Sequence, residues 1–519
     1  MRGNHTSQNG YVVNAPGGTL FGYPKGIYLV GGTEFWDRFS YYGMMGLMVL
    51  FLTDATASGG FAWSETSALR LYGIYTALIY ITPVFGGWIA SSWLGERRAV
   101  GLGATLIVLG HFLLGGPAYF PAIIDSLSGS PAHDALKAAH IPLGTLIPSK
   151  DMWDALAQAA IAAGVEVHWA NAAYLSVSLS FYTGLGFIMV GTGLLKPAIS
   201  TIIGGFYQPK DPRKDHAYTI FLVCIFLGGF MANFIAGTLG EKYGWHYGLG
   251  AAGVGMFIGL IIYFAKQGAW LGDIGDKPKN KVKSKTTTAQ RLTAEEKNRL
   301  AVIAVTGIAA VVYAAIFYQK GGVLHLIARE STDRFVLGFE VPATWLLSIS
   351  TGVFILLAPF SNGFWTWAEK KGVNLDLPTK LAIGLSLLTI GYAFQIFSAI
   401  DRDLSSDGVS SIWWFIPTYL CFGLGDVFFW PASYAAVSRL SPERMTSISF
   451  GVYYTVFGIG TWLSAEIGAL SYAYEQKLVF IGLAALGFVT AVCLFSIRNI
   501  LNRASQGEPI FFRRATVAP

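Results

Sequence analysis

Twelve apolar runs, each long enough to cross a lipid bilayer, are the feature that most constrains the fold of this 519-residue chain. A membrane-spanning helix needs about 20 mostly apolar residues, and every backbone polar group inside the bilayer must be bonded within the protein. The runs cover 27–53, 66–93, 98–118, 174–200, 217–239, 246–265, 300–327, 344–367, 379–400, 411–438, 447–472 and 477–497. The sequence therefore predicts an all-α polytopic membrane protein with twelve transmembrane helices in two six-helix bundles.

Composition excludes the soluble classes of protein. Charged residues make up 13% of the chain, whereas a soluble domain carries about 25%. The net charge of +6 comes from basic residues in short loops, which argues against a nucleic-acid partner. No Cys/His cluster, phosphate loop or nucleophile elbow is present in the sequence, so we expect no metal, no cofactor and no enzymatic activity.

The distribution of basic residues predicts the orientation in the membrane. The loops after the even-numbered runs, together with both termini, carry 25 of the Lys and Arg residues, and the opposite loops carry 8. Because Lys and Arg concentrate in cytoplasmic loops, we expect both termini in the cytoplasm and the protein in the cell (inner) membrane.

The connections divide the chain into segments. A hydrophilic, Lys-rich stretch separates the first six runs from the last six, and Thr293 and Glu296 have the spacing of a capping box that starts a helix. An Ala-rich stretch at 153–165 predicts a short amphipathic helix. The predicted segments are a cytoplasmic tail 1–26, a first bundle 27–265 with an extracytoplasmic insertion 119–173, a cytoplasmic linker 266–299, a second bundle 300–497 and a cytoplasmic tail 498–519.

Charged side chains lie deep in the first and fourth apolar runs. Glu34, Asp37 and Arg38 stand at i, i+3 and i+4, so they share one face of a helix. Lys196 lies in the fourth run. An ionisable residue at the bilayer centre costs about 2.5–3.5 kcal/mol and therefore indicates a partner or a function. A cluster at a helix end is the alternative interpretation, but Glu34 follows several apolar residues of the same run.

The second half carries one clearly deep acid, Asp426, in the tenth run. A cavity with Arg38 and Lys196 on one wall and Asp426 on the other would suit a zwitterion such as an amino acid or a small peptide. Lys320 and Glu466 lie nearer the ends of their runs, where a long side chain usually extends toward the polar interface.

The segment Glu34-x-x-Asp37-Arg38-Phe39-Ser40-Tyr41-Tyr42-Gly43 resembles the signature of the proton-dependent oligopeptide transporter (POT/PTR) family of the major facilitator superfamily. The run Gly191-Thr192-Gly193-Leu194-Leu195-Lys196-Pro197 resembles a second family motif. Further similarities extend along most of the chain, at Gly86 to Ala90, Gly95 to Arg98, Thr219, Phe221, Gly228, Gly240, Glu241, Trp245, Gln319, Leu324, Ala328, Asp333, Arg334, Pro342 to Trp345, Ala358 and Pro359.

This resemblance implies the major facilitator fold and the proton-coupled import of di- and tripeptides or peptide-like compounds by alternating access. It assigns proton coupling to Glu34, Asp37, Arg38 and Lys196. It also implies a substrate site: Arg38 and Lys196 near the substrate carboxylate, Tyr41, Tyr42 and Tyr80 along the pocket, and Asp426 at the substrate ammonium. The expected partners are a small-molecule substrate, protons and the lipid bilayer, and we expect a monomer.

The sequence also departs from the family pattern at the site. Where the family usually has an Arg and a Glu that are thought to pair, this chain has Met45 and Tyr318. Other substrate-contacting positions of the family carry Phe226, Ser350, Trp430 and Tyr453 here. These changes predict a more aromatic pocket with fewer amide donors. The alternative interpretation is a family relative that transports a different small organic anion or zwitterion, with altered proton coupling.

Overall fold

The computed structural model describes residues 4–6, 12–208, 211, 213–278, 292–373 and 375–508. The chain forms two compact units. Unit 1 comprises Met1–Tyr75, Thr82–Asn280 and Val341–Ser348, and unit 2 comprises Thr76–Ile81, Lys281–Glu340 and Ile349–Pro519. Part of the predicted linker, including Lys279, Lys281, Lys283 and Lys285, lies outside the described residues.

Helices make up most of the described chain. The α-helices are α1 Lys25–Thr53, α2 Glu65–Ile89, α3 Glu96–Gly115, α4 Phe120–Ser128, α5 Ala132–Ala138, α6 Lys150–Ala162, α7 Val167–Gly204, α8 Arg213–Ala232, α9 Thr238–Tyr243, α10 Trp245–Leu271, α11 Ala294–Phe317, α12 Val323–Glu330, α13 Ala343–Lys370, α14 Leu377–Leu404, α15 Phe415–Leu440, α16 Thr446–Leu470, α17 Gln476–Ser496 and α18 Arg498–Ser505. Turns of π-helix cover Ala90–Leu94 and Asn233–Gly237, and 3₁₀ turns cover Thr56–Ser58, Gly116–Ala118, Tyr318–Gly321, Ile412–Trp414 and Glu443–Met445.

The strands are short and lie outside the long helices. Antiparallel pairs join β1 Asn4–Thr6 to β2 Val12–Asn14, β3 Thr19–Leu20 to β4 Tyr23–Pro24, and β6 Phe335–Val336 to β7 Phe339–Glu340, whereas β5 Thr332–Asp333 pairs in parallel with β8 Ser410–Ser411. The turn between β6 and β7 places Leu337 at φ 52° and Gly338 at φ 80°. Two successive positive φ angles match the right-handed twist of a tight hairpin.

The predicted all-α, multi-pass membrane fold is confirmed. Within the described residues, ten helical segments are long and apolar enough to cross a membrane, and α1 and α16 complete the set. Helix α1 carries the charged residues Glu34, Asp37 and Arg38, which lower its mean hydropathy. The predicted capping box is also confirmed, because the Thr293 side chain accepts from the Glu296 backbone and Glu296 accepts from the Thr293 backbone.

The core of unit 1 lies among α1, α3, α7 and α10. Ile27, Val30, Val100, Ile199 and Met256 are all fully buried there. In unit 2, α14 packs on α15 and α17, and α11 packs on α15 and α16. The same apolar side chains that make each helix membrane-compatible therefore also fill the contacts between helices.

The insertion of unit 1 is folded onto the neighbouring connections. The predicted Ala-rich helix is present as α6, capped by the Ser149 hydroxyl, which accepts from the Met152 backbone. The Leu143 carbonyl accepts from the Trp63 indole at 2.6 Å, and the Tyr174 hydroxyl donates to the Pro142 carbonyl at 3.2 Å. These bonds tie the insertion to the α1–α2 connection and to α7.

An ion pair in the connection between α7 and α8 makes stability depend on pH. Asp211 accepts hydrogen bonds from the Arg213 backbone and Nε, each at 3.0 Å, and from Nη2 at 2.7 Å. These bonds lower the pKa of the Asp211 carboxyl. Because the folded-state pKa is lowered, the stabilisation is present above the unfolded pKa of about 3.9 and is lost as pH falls through the folded-state value.

We therefore predict that Asp211→Asn lowers the melting temperature of the detergent-solubilised protein by about 2 °C at pH 7. The difference from wild type is expected to be smaller at pH 3 than at pH 7, because below the unfolded pKa of about 3.9 the unfolded chain binds a proton on Asp211 more readily than the folded chain does. Asp154→Asn, which changes an exposed carboxylate on α6, is the control and leaves both melting temperatures unchanged. A deficit of equal size at both pH values would contradict the ion-pair explanation.

Candidate functional site

Three charged side chains of α1 form a buried ion-pair cluster in unit 1. The Arg38 Nε lies 2.8 Å from Glu34 Oε1, and Arg38 Nη2 lies 2.7 Å from Asp37 Oδ2. The exposed fractions of Glu34, Asp37 and Arg38 are 2%, 1% and 4%. The predicted sharing of one helical face is confirmed, and the guanidinium holds both carboxylates at once.

Lys196 of α7 joins the cluster and completes its charge balance. Its ammonium interacts electrostatically with Arg38, Asp37 and Glu34. Lys196 Nζ lies 5.9 Å from the centroid of the Tyr41 ring, and Arg38 Cζ lies 5.7 Å from the same centroid. Two carboxylates and two cations are formally neutral, so one added proton would leave the group with a net positive charge.

Glycines bring the helices of the cluster together. A Cβ on Gly228 of α8 would lie 2.3 Å from the Phe35 carbonyl oxygen and 3.1 Å from Arg38 Cβ. On the Lys196 side, a Cβ on Gly86 of α2 would lie 2.1 Å from the Gly193 carbonyl oxygen of α7. The backbones approach so closely only because these positions lack side chains.

Several polar atoms of this region have no hydrogen-bond partner within the described part of the chain. They are the second carboxylate oxygen of Glu34, Oε2, and the hydroxyls of Tyr41 and Tyr75. Tyr75, which the sequence did not single out, interacts electrostatically with Tyr41 and Asp37. A buried polar group without a partner costs about 1–3 kcal/mol, so these atoms are suited to bind a ligand or water.

Unit 2 contains a second buried polar site around Asp426 of α15. The Tyr313 hydroxyl of α11 donates to Asp426 Oδ1 at 2.6 Å, and the Trp430 side chain donates a further hydrogen bond. Asp426 is 7% exposed. Tyr313 was not identified from the sequence, because its relation to Asp426 arises from packing between two helices.

Lys320 lies in the same site, and the interpretation that its side chain extends toward the interface is wrong. Lys320 is 8% exposed, and Nζ donates to the Ser350 hydroxyl of α13 at 3.1 Å. The ammonium interacts electrostatically with Asp426. The reason is that the span continues through α12 to Glu330, so Lys320 lies inside the span, in a 3₁₀ turn whose four residues are all buried.

Aromatic side chains line the neighbourhood of these charges in unit 2. The Tyr80 and Tyr318 hydroxyls are hydrogen-bonded to each other. The Trp430 ring lies 4.7 Å from Phe457 and 5.4 Å from Tyr434 between centroids. The predicted residue Tyr453 is buried and donates to the Ser433 hydroxyl at 2.9 Å. Tyr318, Trp430 and Tyr453 therefore lie among aromatic side chains of unit 2. Two of these neighbours, Tyr434 and Phe457, were not identified from the sequence.

The remaining candidate residues lie in unit 1. Tyr42 contacts Tyr41 with ring centroids 5.1 Å apart. Phe226 is half-buried on α8, two residues before Gly228. Met45 is 3% exposed on α1. Unit 1 thus holds the four residues predicted for proton coupling, whereas unit 2 holds Tyr80, Tyr318, Ser350, Asp426, Trp430 and Tyr453.

Comparison with known proteins finds a matching family profile and similar transporters. The profile of the POT family matches residues 97–271 and 269–483. The chain is 27% identical over 564 residues to the peptide transporter YePEPT of Yersinia enterocolitica, with 95% of this chain and 98% of that protein covered. It is 25% identical over 544 residues to the uncharacterized transporter YclF of Bacillus subtilis, with 96% and 98% covered.

A solved structure supports the same relationship. It is a mutant of a peptide transporter POT in complex with alafosfalin, and it is 25% identical to this chain with a TM-score of 0.76. The match covers 94% of this chain and 97% of that structure. The similarity therefore includes both units rather than one bundle alone.

The close approach of α1 and α8 leads to a prediction. Gly228→Ala places a methyl group against the Phe35 carbonyl, so we expect the free energy of unfolding to fall by about 1–3 kcal/mol. Gly250→Ala on α10 is the matched control, since a Cβ there meets no atom within 4 Å. Thermal unfolding of both variants in detergent tests the prediction. Equal melting temperatures would show that α8 does not need glycine to approach Arg38.

Proposed function

This chain belongs to the POT family, and on that premise we propose that it is a proton-coupled symporter that imports di- or tripeptides or peptide-like compounds by alternating access. The observation that carries the proposal is the buried cluster of Glu34, Asp37, Arg38 and Lys196. Four buried ionisable groups inside membrane-spanning helices are costly and add nothing to simple packing. A carrier that binds and releases protons, however, requires such groups. The peptide transporters among its relatives support the substrate class.

Proton coupling follows from the charge balance of the cluster. With every group ionised, the four charges cancel. Protonation of Glu34 or Asp37 removes one negative charge and leaves Arg38 and Lys196 with an excess of positive charge. An anionic group of a substrate is then attracted to the same place. Proton binding therefore raises the affinity for the substrate, and substrate binding raises the affinity for the proton by the same factor.

The substrate carboxylate is proposed to bind near Arg38 and Lys196. Arg38 is already held by two carboxylates, so its release from one of them by protonation would leave donor capacity for the substrate. Tyr41 lies beside both cations, and its hydroxyl has no partner within the described residues. These features suit an oxygen-rich anionic group, because a charge-assisted hydrogen bond is about twice as strong as a neutral one.

The location of the protein is proposed from its apolar helices and from the distribution of its basic residues. Its multi-pass helical structure places it in a membrane. We propose the cell (inner) membrane, with both termini and the stretch 266–299 in the cytoplasm, because the basic residues concentrate in those segments. We further propose that it acts as a monomeric transporter, with a small molecule and protons as its partners, and that it catalyses no covalent reaction.

Uptake into proteoliposomes tests the coupling. We predict that an inward proton gradient drives accumulation of a labelled dipeptide or tripeptide by the wild-type protein. Asp37→Asn is expected to abolish this gradient dependence, because an amide cannot release a proton, while exchange of substrate without a gradient continues. Glu34→Gln is tested in parallel to show which of the two carboxylates carries the coupled proton.

Two outcomes would count against this mechanism. Uptake by the wild type that ignores the gradient would refute proton coupling. An unchanged pH dependence in Asp37→Asn would assign the coupling to Glu34 or to a group outside the cluster. Melting temperatures of the variants confirm that each protein is folded before its transport is compared.

The role of Lys196 gives a second functional prediction. Lys196→Ala removes one of the two cations proposed for the substrate carboxylate, so gradient-driven uptake is expected to fall by at least about a hundredfold. Lys266→Ala is the matched control. Lys266 also has its ammonium 5.9 Å from an aromatic centroid, that of Trp270, but it is exposed on α10. Full uptake by a folded Lys196→Ala protein would refute the carboxylate role.

A further inference from the structure

Unit 2 buries Lys320 and Asp426 in one polar site, where their opposite charges interact electrostatically. Both residues are more than nine-tenths buried. Lys320 Nζ lies 3.8 Å from the centroid of the Phe317 ring and 3.1 Å from the Ser350 hydroxyl oxygen. The positive charge of Lys320 favours the ionised form of Asp426. The resemblance to the family implies only a carboxylate at this point, so Lys320 changes the electrostatics of the site.

The Asp426 carboxylate is satisfied from within the unit. Tyr313 donates to Oδ1 at 2.6 Å, and Trp430 donates as well. Lys320 adds a compensating positive charge. A carboxylate that has two hydrogen-bond donors and a nearby cation has less need of a substrate ammonium to balance its charge.

A free α-ammonium would also be repelled at this site. It would bring a second positive charge into the region already occupied by Lys320, and the low dielectric of a buried site strengthens that repulsion. A neutral amide at the same end of the substrate would meet no such penalty. Its carbonyl oxygen can instead accept a hydrogen bond from Lys320, whose ammonium carries three donors. Repulsion between like charges is a common basis of specificity.

Building on the proposed transport of peptide-like compounds, we propose that Lys320 makes this protein selective for substrates whose amino end is uncharged, such as N-acylated peptides. Lys320 Nζ, positioned by Ser350, is the donor to the acyl carbonyl. Asp426 holds the Lys320 charge in place rather than receiving an ammonium from the substrate.

The test compares uptake of two compounds of matched backbone, N-acetyl-alanyl-alanine and alanyl-alanine, into proteoliposomes with an inward proton gradient. Both carry the same carboxylate and differ in the charge at the amino end. The wild type is expected to take up the acetylated compound at least about tenfold faster. Lys320→Met, which keeps the side-chain volume and removes the charge, is expected to lower that ratio at least about tenfold.

Two further variants serve as controls. Lys380→Met removes another lysine of unit 2 that lies over an aromatic ring, with Nζ 4.8 Å from the Trp365 centroid. The electrostatic partners of Lys380 are Glu369, Arg439 and Asp376, so the substrate ratio stays at the wild-type value. Lys320→Arg retains the charge and is expected to retain the preference for the acetylated compound.

The outcomes separate this inference from the proposed function. If the wild type takes up alanyl-alanine faster than the acetylated compound, the protein is a peptide transporter and the inference is overturned. An unchanged ratio in folded Lys320→Met overturns it as well. Uptake of neither compound, in liposomes shown to hold the folded protein, overturns the proposed function and with it the inference. The wild-type ratio decides the matter even if Lys320→Met does not fold.

Discussion

The cost of placing charge inside a lipid bilayer is the constraint on which the rest of this structure depends. Hydrocarbon offers no water to a carboxylate or an ammonium, so each must meet a group of opposite charge within the protein. Unit 1 satisfies this requirement with Glu34, Asp37, Arg38 and Lys196 around the Tyr41 ring. Unit 2 satisfies it with Lys320 and Asp426, supported by Ser350 and Tyr313. In unit 1, Gly228 and Gly86 allow a close approach of the helix backbones around this cluster.

The same constraint explains the departures from the family pattern. Met45 and Tyr318 replace an Arg and a Glu that are thought to pair in relatives, so neither position leaves an unpaired charge. In this chain the Tyr318 hydroxyl is hydrogen-bonded to the Tyr80 hydroxyl instead. Removing one member of a buried ion pair is costly, whereas replacing both can be neutral. The unit also has a cation two residues further on, at Lys320, which compensates Asp426.

The mechanism that we propose depends on small changes in the charge of the unit 1 cluster. A neutral cluster can gain or lose one proton without leaving a large buried net charge, and each such change alters its attraction for an anion. In unit 2, Tyr313, which donates to Asp426, also packs against Phe429 and Trp430. Asp426 is buried there, and a low dielectric strengthens the electrostatic interactions of a buried charge. On the selectivity that we propose, the charge that Lys320 already supplies at the Asp426 site decides which substrates fit there.

The sequence by itself determined the features that lie along a single helix. Twelve apolar runs, the i, i+3 and i+4 spacing of Glu34, Asp37 and Arg38, and the capping box at Thr293 all follow from the 3.6-residue period and from backbone hydrogen bonding within one segment. Only the tertiary structure decided that Lys320 is buried and interacts electrostatically with Asp426, and that Tyr313 donates to that carboxylate. Those contacts join residues about a hundred positions apart in the chain, and they depend on how helices pack and where a helix tightens into a 3₁₀ turn. Spacing along the chain carries no information about such packing, because each helix can rotate and slide until its partners fix it.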